Sequence, residues 1–219
     1  MLQSKTLMSK KIELSTEFVE DLSITRYDPP WIRENRLQAL TLYQELPDLP
    51  PLEKPIHFPK KFTALAPDSL ALAPSIPTER EPLPCQIWGE CAGEIIQRNE
   101  TVEGQIRLEP ALEAQGVLLK TLSSALLDHP ELQKVFGTIC SPSLSKLAAL
   151  NTMLWQTGFF LRVPQGLTIT KPFYFLSGLE GQHVATFPRS LIVLEPNAQA
   201  TVIVETYSDD SVTPALASE

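Results

Sequence analysis

The stretch SLIVLEPNAQATVIVETY, residues 190–207, joins two strand-like runs through the short turn-like segment PNAQ. Each run has apolar residues at consecutive positions, so each predicted strand presents apolar side chains on both faces. In the second run Val202 and Val204 face one way, and Ile203 and Glu205 face the other. Strands of this kind need neighbours on both faces. The chain nevertheless stops about a dozen residues later.

The same pattern fills the chain from Gly158 onward. The runs FFLRV, LTIT, PFYFLS and HVATF are separated by the turn segments PQG and GLEGQ, which is typical of short strands joined by small turns. Evenly spaced short strands fit a sandwich, a barrel or a β-solenoid, in which each turn of chain covers the one before it.

Four segments before Gly158 show helical periodicity or helix start and stop signals. Residues 9–22 place Leu14, Phe18 and Leu22 on one face of a predicted helix. A second helix is expected to begin at an Asp28 cap with two prolines in its first turn, and to end at Pro47. Its apolar stripe consists of Ile32, Ala39, Tyr43 and Leu46.

Two further helices are predicted closer to the strands. The first begins at a Ser123 or Ser124 cap, places Leu132 and Phe136 four residues apart, and ends at Gly137. The second begins at a Ser141 cap with Pro142 in its first position and ends at Gly158. Its apolar face consists of Leu147, Leu150 and Leu154.

The segments between these helices are extended. Residues 47–84 are rich in proline and poor in periodicity, which favours a loop that crosses the surface. Residues 85–109 alternate and contain glycine turns, so the runs CQIWGE, AGEIIQRN and GQIRLE are predicted strands.

Composition limits the class of protein. The chain has 219 residues, is 43% hydrophobic and has a net charge of −8, so nucleic acid and anionic membranes are disfavoured partners. No window holds the roughly 18 apolar residues of a spanning helix, and the N-terminus does not resemble a secretory signal. Three cysteines do not make a disulfide framework. We therefore expect a cytoplasmic protein.

Several segments resemble one known family. ALNTMLWQTGFFLRVPQGLTITKPFYF and FPRSLIVLEPNAQATVIVETYS resemble the shared core of the SufB/SufD family of iron–sulfur cluster assembly proteins. LEPALEAQGVLLKTLSSALLDHPELQKVFG and PPWIRENRLQALTLYQELPDLP resemble the same family. The similarity covers most of residues 27–213 and is weakest in the proline-rich loop. The N-terminal helical region and AGEIIQRN make it more SufD-like than SufB-like.

The resemblance implies a fold and a set of partners. The implied fold class is α+β, with an N-terminal helical region and the start of a right-handed parallel β-helix (a β-solenoid). The expected organisation is residues 1–84 as helices and proline-rich loop, 85–157 as a mixed segment, and 158–219 as the first, truncated rungs. A C-terminal segment of the family docks the SufC-type ATPase, and a SufB-type subunit is the other implied partner.

That resemblance also implies what this chain would not contain. The family's cluster-associated cysteine, glutamate and histidine positions belong to a C-terminal half that the chain is expected to lack, as in a fragment, a truncated reading frame or half of a split protein. We therefore expect no catalytic and no metal-binding residues, and the cofactor-binding residues stay unknown. Iron–sulfur cluster and ATP are implied only through the complex, since no phosphate-binding loop is present.

A few residues still merit consideration as candidates. Cys85 and Cys91 could ligate iron or zinc, but their spacing favours small apolar residues in strands. Cys140 precedes a helix cap, where weak thiol reactivity is one reading and packing the other. The three histidines, which lie far apart in sequence, are better read as surface or capping residues than as ligands: His57, His129 and His183.

Charged residues within the predicted strands form the last group. Arg189 and Glu205 interrupt apolar runs, and an ion pair or a turn hydrogen bond would satisfy them if they are partly buried. Glu195, Pro196 and Asn197 have the composition of a turn.

Three functions are compatible with these features. The first is a non-catalytic scaffold subunit of a SufBCD-type complex. The alternative is a β-solenoid or cupin-like enzyme acting on a small molecule or saccharide, although the clustered histidines or rows of charge it needs are not evident. The third is an oligomerisation module, such as a homodimer, because an open solenoid end recruits strands. In that case we expect the isolated chain to self-associate, or to be poorly ordered after about Tyr207.

Overall fold

A computed structural model of the protein describes residues 11–47, 69–74, 91–102, 106–208 and 215–217. The described α-helices are α1 (Thr16–Thr25), α2 (Pro30–Glu45), α3 (Pro110–Ala114), α4 (Leu122–Asp128) and α5 (Lys146–Leu154). The strands before α5 are β1 (Ala71–Leu72), β2 (Gly93–Arg98), β3 (Thr101–Val102), β4 (Arg107–Leu108) and β5 (Leu118–Thr121). Those after it are β6 (Phe159–Val163), β7 (Phe173–Leu179), β8 (Val184–Thr186), β9 (Leu191–Leu194), β10 (Val202–Ser208) and β11 (Ala215–Ala217). The predicted α+β class is confirmed.

The last six strands form two successive sets of three, which pair in parallel. We call β6, β7 and β8 the first coil, and β9, β10 and β11 the second coil. The register places Phe160 opposite Leu191, Phe173 opposite Val202, and Val184 opposite Ala215. These partners are 31, 29 and 31 residues apart, so the chain returns to each of three sheets after a nearly constant length.

Earlier strands flank the first coil on its other side. β5 pairs with β6 in antiparallel fashion, β2 pairs with β7 in parallel, and β1 pairs with β8 in parallel. β2 also pairs in antiparallel fashion with β3 and β4. The first coil therefore supplies an interior strand to each of the three sheets in the described part of the chain.

The two coils present the same type of residue to one shared core but differ in burial. In the first coil Phe159, Leu161, Val163, Phe173 and Phe175 pack with one another and with Val117 and Ile95. In the second coil the register partners of Leu161, Val163 and Phe175 are Ile192, Leu194 and Val204, which are 43%, 47% and 44% exposed. Strand alternation sends the remaining side chains to the outer faces.

The helices cover one of those outer faces. Phe160, on the opposite side of β6 from Leu161, packs with Trp155, Leu122 and Phe136. Leu191 and Val193 of the second coil pack against the same cluster. One face of β9 thus meets the helices, while Ile192 and Leu194 on the other face remain 43% and 47% exposed.

Several predicted helix boundaries were wrong. α1 begins at Thr16 rather than at residue 9, because the Ser15 hydroxyl caps it by accepting from the Phe18 N–H at 3.2 Å. Phe18 and Leu22 are buried as predicted. α2 has Pro29 at its cap position without a side-chain hydrogen bond. Asp28 does not cap it, because its carboxylate pairs with Arg36 instead.

The two helices nearest the strands are each divided. Thr121 caps α4, not Ser123 or Ser124, and α4 gives way before Pro130 to a 3₁₀ turn, Pro130–Lys134. Leu132 and Phe136 are buried as predicted. Ser141 caps a 3₁₀ turn, Pro142–Leu144, and Ser145 caps α5.

The remaining corrections concern backbone and strands. Gly158 does not end a helix, because α5 stops at Leu154 and Gly158 packs against the backbone of Arg189. Within the predicted loop 47–84, residues Ala71–Leu72 form a strand that was not predicted. The predicted strand LTIT reduces to one isolated bridge, Thr168 with Gln199. The predicted strand at Cys85–Glu90 lies outside the described residues.

Candidate functional site

A cavity lined by several titratable side chains lies where β2 begins. It has a volume of about 390 Å³, and its walls include Cys91, Glu94, Arg107, Glu109 and Lys171. Three short elements meet there, because β2 and β4 pair in antiparallel fashion and the chain enters α3 directly afterwards. Gly93 permits this close approach, since a Cβ on it would lie 2.8 Å from the Leu119 side chain and 3.0 Å from the Arg107 carbonyl.

The charges around this cavity neutralise one another. Glu94 pairs with Arg107, and Glu109 pairs with Lys171. Cys91 is half-buried, with a free thiol. No group of three or more histidine, cysteine or acidic side chains suited to a metal ion occurs in the described ranges. The cavity thus combines a thiol with two ion pairs.

The other sequence candidates are scattered over the molecule. Cys140 is exposed, and His183 is exposed at a left-handed turn with φ of 55°. The Nδ1 of His129 lies 3.4 Å from a Glu131 carboxylate oxygen. Cys85 and His57 lie outside the described residues.

Arg189, predicted within a strand, lies between β8 and β9 and donates to Thr152 Oγ1 at 2.7 Å and to the Cys140 carbonyl at 3.0 Å. Two carboxylates near the strands are also satisfied by hydrogen bonds. Glu205 accepts a hydrogen bond from the Tyr174 hydroxyl on the neighbouring strand. Glu195 accepts from Arg162 and from the Gln165 N–H. The Arg162 hydrogen bond, then that of Gln165, lowers the pKa of Glu195. The turn predicted at Glu195–Asn197 is present, with Asn197 at φ of 63°.

Two adjacent aromatic rings, with an arginine against each, lie between the helices and the first coil. The Arg36 guanidinium is 4.7 Å from the Trp155 ring, Trp155 is 5.8 Å from Phe136, and the Arg189 guanidinium is 4.7 Å from Phe136. Arg36 donates from Nε to Asp28 at 2.7 Å and from Nη1 to the Met153 carbonyl at 2.8 Å. Burial, opposed by Asp28, lowers the pKa of Arg36 to about 10, so it stays charged at neutral pH.

A third arginine ties the helical part to the sheet. Arg26 Nη1 lies 3.2 Å from Glu100 Oε2, and Arg26 also donates to the Gln156 carbonyl. Burial raises the pKa of Glu100, with Arg26 opposing the shift. This contact joins the end of α1 to the β2–β3 turn.

Sequence reasoning did not single out Arg26, Arg36 or Glu100. Arg36 had a readable signal, because it falls on the same helical stripe as Ile32 and Ala39, and a charge on an apolar stripe indicates a buried ion pair. Its partners on α5 could not be read from local sequence.

Several known proteins are similar to this chain in sequence. The family model described as the SufBD protein N-terminal region matches residues 85–174. An iron-sulfur cluster assembly SufBD family protein of Staphylococcus epidermidis is 23% identical over 93% of this chain and 47% of its own length. The iron-sulfur cluster assembly protein SufB of Bacillus subtilis is 24% identical over 84% of this chain and 42% of its own length. An iron-sulfur cluster assembly SufBD family protein of Mycobacterium tuberculosis is 30% identical over 83% of this chain and 23% of its own length.

The resemblance to the SufB/SufD family is confirmed. It concerns the N-terminal region of that family, and the chain spans less than half the length of these curated relatives. The SufBD match runs from before β2 to the start of β7, so it includes the cavity with Cys91 and helices α3, α4 and α5, but not α1 or α2. None of the described helices is long and apolar enough to span a membrane.

Proposed function

We propose that this chain is the N-terminal part of a non-catalytic, SufD-like scaffold subunit in a SufBCD-type iron–sulfur cluster assembly complex. The observation that carries the proposal is the SufBD N-terminal match together with relatives whose names all state iron–sulfur cluster assembly. Its partners would be a SufC-type ATPase, which supplies ATP hydrolysis, and a SufB-type subunit.

The coil geometry supports the fold that this role requires. Parallel pairing of β6 with β9, β7 with β10 and β8 with β11 at a nearly constant spacing is what stacked turns of a β-helix produce. We infer that the two coils begin a right-handed parallel β-helix. A further layer would cover Ile192, Leu194 and Val204, the half-exposed inner residues of the second coil.

Substitutions at Ile192 and Leu194, on the inner face of the second coil, test the proposal through partner capture. The longest in-frame gene product that contains this chain is tagged and expressed with the SufC-type ATPase and SufB-type subunit of the same genome. We expect the tagged protein to capture both. The double variant I192D/L194D places charges in the layer contact, and we expect it to lose capture.

A matched control uses the same chemical change elsewhere. Ile139 belongs to neither coil and is 90% exposed, so Ile139→Asp should leave capture unchanged. If the wild-type product captures neither subunit, the scaffold proposal is wrong. If I192D/L194D captures both as well as wild type does, the layer inference is wrong while the scaffold assignment stands.

A further inference from the structure

The end of α1 adopts a backbone conformation that its sequence does not favour. Tyr27 follows the helix with φ of 56°, in the left-handed region where glycine is the usual residue. The Tyr27 N–H donates to the Ile24 carbonyl at 3.1 Å, and the Asp28 N–H donates to the Ser23 carbonyl at 3.0 Å. The Tyr27 side chain is 84% exposed, so burial of the ring does not offset the cost of this conformation. Contacts made by a neighbouring side chain therefore matter for holding the turn.

Arg26, directly before Tyr27, makes such contacts. Its Nη1 lies 3.2 Å from Glu100 Oε2 in the β2–β3 turn, and its Nη2 donates to the Gln156 carbonyl after α5. The side chains of Arg26 and Glu100 are only 19% and 12% exposed, so the pair is largely shielded from water. A hydrogen bond between charged groups is roughly twice as strong as one between neutral groups, so this contact depends on the charge of Glu100.

The Glu100 side of this contact is firmly held. The preceding residue, Asn99, is buried, and its Nδ2 donates to the Glu180 carbonyl at 3.0 Å. The Asn99 Oδ1 also accepts a hydrogen bond from the Glu180 N–H at 2.9 Å. These two bonds attach the β2–β3 turn to the segment after β7. If the Arg26 contact weakens, we therefore expect the left-handed turn at Tyr27 to move rather than the β2–β3 turn.

Glu100 is also placed to take up a proton. Its Oε1 is buried and has no hydrogen-bond partner among the described residues, and the same is true of Gln156 Oε1. An ionised carboxylate can only accept hydrogen bonds, as can an amide oxygen, whereas a protonated carboxyl group can donate one. A proton on Glu100 thus turns one of these unpaired acceptors into a donor.

The surroundings of Glu100 favour that proton. Burial raises the pKa of Glu100, and the ion pair and hydrogen bond with Arg26 offset only part of the shift. The other charged side chains on the adjoining segments are paired with one another, Arg98 with Glu180 at 2.9 Å and Asp28 with Arg36 at 2.7 Å. Glu100 should therefore become neutral at a pH at which ordinary glutamates are still ionised.

We propose that Arg26 and Glu100 form an acid-sensitive latch between α1 and the β2–β3 turn. While Glu100 is ionised, Arg26 is held in place and the left-handed turn at Tyr27 stays closed. When Glu100 takes up a proton, the contact loses its charge assistance and the turn relaxes. The latch thus lets pH control the end of α1, where the apolar side chains of Ile24 and Tyr27 are exposed.

The test combines NMR with hydrogen exchange on the 219-residue chain. The Glu100 carboxyl carbon resonance reports its protonation, and the protection factor of the Asp28 N–H reports closure of the turn. In wild type, Glu100 should titrate above the ordinary glutamate pKa of about 4.3. Over the same pH range the Asp28 protection factor should fall about threefold to tenfold, the difference between a charged and a neutral hydrogen bond.

Glu100→Gln keeps the shape of the side chain but removes its charge. At pH 7 it should show the low Asp28 protection factor that wild type reaches in acid, and that value should no longer change with pH. The variant should fold, because a raised pKa means that folding favours the neutral form of this side chain. Glu20→Gln is the matched control, since it removes an α1 carboxylate that pairs with Arg33, and its Asp28 profile should match wild type.

Three results would overturn the latch. The first is a Glu100 carboxyl that titrates at or below the ordinary glutamate pKa. The second is a Glu100→Gln protein with the wild-type Asp28 protection factor at pH 7. The third is a Glu100→Gln protein whose Asp28 protection factor still falls in acid as it does in wild type, because another group would then be responsible.

Discussion

The first and second coils carry similar apolar sequences and share one core, yet their inner residues differ greatly in burial. Leu161 of the first coil is fully buried, while its register partner Ile192 in the second is 43% exposed. The difference does not arise from composition. It arises because the first coil has strands on both sides, whereas the second has a described neighbour on one side only. Burial in such a stack is set by position, and each coil needs the next one to complete it.

The largest effect is expected at a close backbone contact between the residues that lead into the two coils. Gly158 has φ of +131°, and a Cβ on it would lie 1.7 Å from the Arg189 carbonyl oxygen. Gly158→Ala should therefore push the coils apart and cost about 4 kcal/mol or more of unfolding free energy. Urea denaturation measures this change.

Gly166 serves as a control that distinguishes the steric clash at Gly158 from the cost of a left-handed backbone. Gly166 has φ of +75°, but no atom lies within 4 Å of its Cβ position. Gly166→Ala should cost about 1–2 kcal/mol, from left-handed strain alone. Equal losses for the two variants would show that the coils are not in close contact at Gly158.

The next effect compares stacked positions directly. Leu161→Ala should cost about 2–5 kcal/mol, because it leaves a cavity in a fully buried core. Ile192→Ala should cost about 1 kcal/mol, because part of that side chain already contacts water. Chemical denaturation of the two variants measures both losses of unfolding free energy. Similar losses would contradict the burial difference between the coils.

The smallest effect concerns the ion pair that links the coils at their edge. Arg162 of β6 lowers the pKa of Glu195, which follows β9, so this contribution to stability is present above the ordinary glutamate pKa and is lost as the pH falls through the lowered value. Glu195→Gln should therefore be less stable than wild type at pH 7, and the difference should disappear in acid. Urea unfolding of both proteins at several pH values checks this. A constant difference across pH would mean that the carboxylate charge plays no part.

Much of this architecture was readable from local sequence. The alternation in residues 159–207 predicts β6, β7, β9 and β10, because side chains of a strand alternate between two environments. The stripes containing Phe18 and Ile32 likewise predict α1 and α2. Helix and strand periodicity depends on residues that are close in sequence, so the sequence pattern predicts these elements.

What could not be predicted depends on distant partners. β1 is two residues long among prolines and exists because β8, more than a hundred positions away, accepts its hydrogen bonds. The Asp28 side chain does not cap α2, because it pairs with the buried Arg36 guanidinium instead. Arg189 stands out in the sequence as a charge in an apolar run, but its partners Thr152, Cys140 and Phe136 lie in other segments.

The central claim is that the second coil is stacked in parallel on the first and has no strand on its far side among the described residues, and it predicts a distinctive pattern of amide hydrogen exchange. The Phe173 N–H donates to the Thr201 carbonyl, so strand alternation turns the amides of Ile203 and Glu205 toward β7 and those of Val204 and Thr206 away from it. In the 219-residue chain, Ile203 and Glu205 should exchange slowly, whereas Val204 and Thr206 should exchange fast. If all four amides were as protected as those of β7, or if all four exchanged fast, the account would be contradicted.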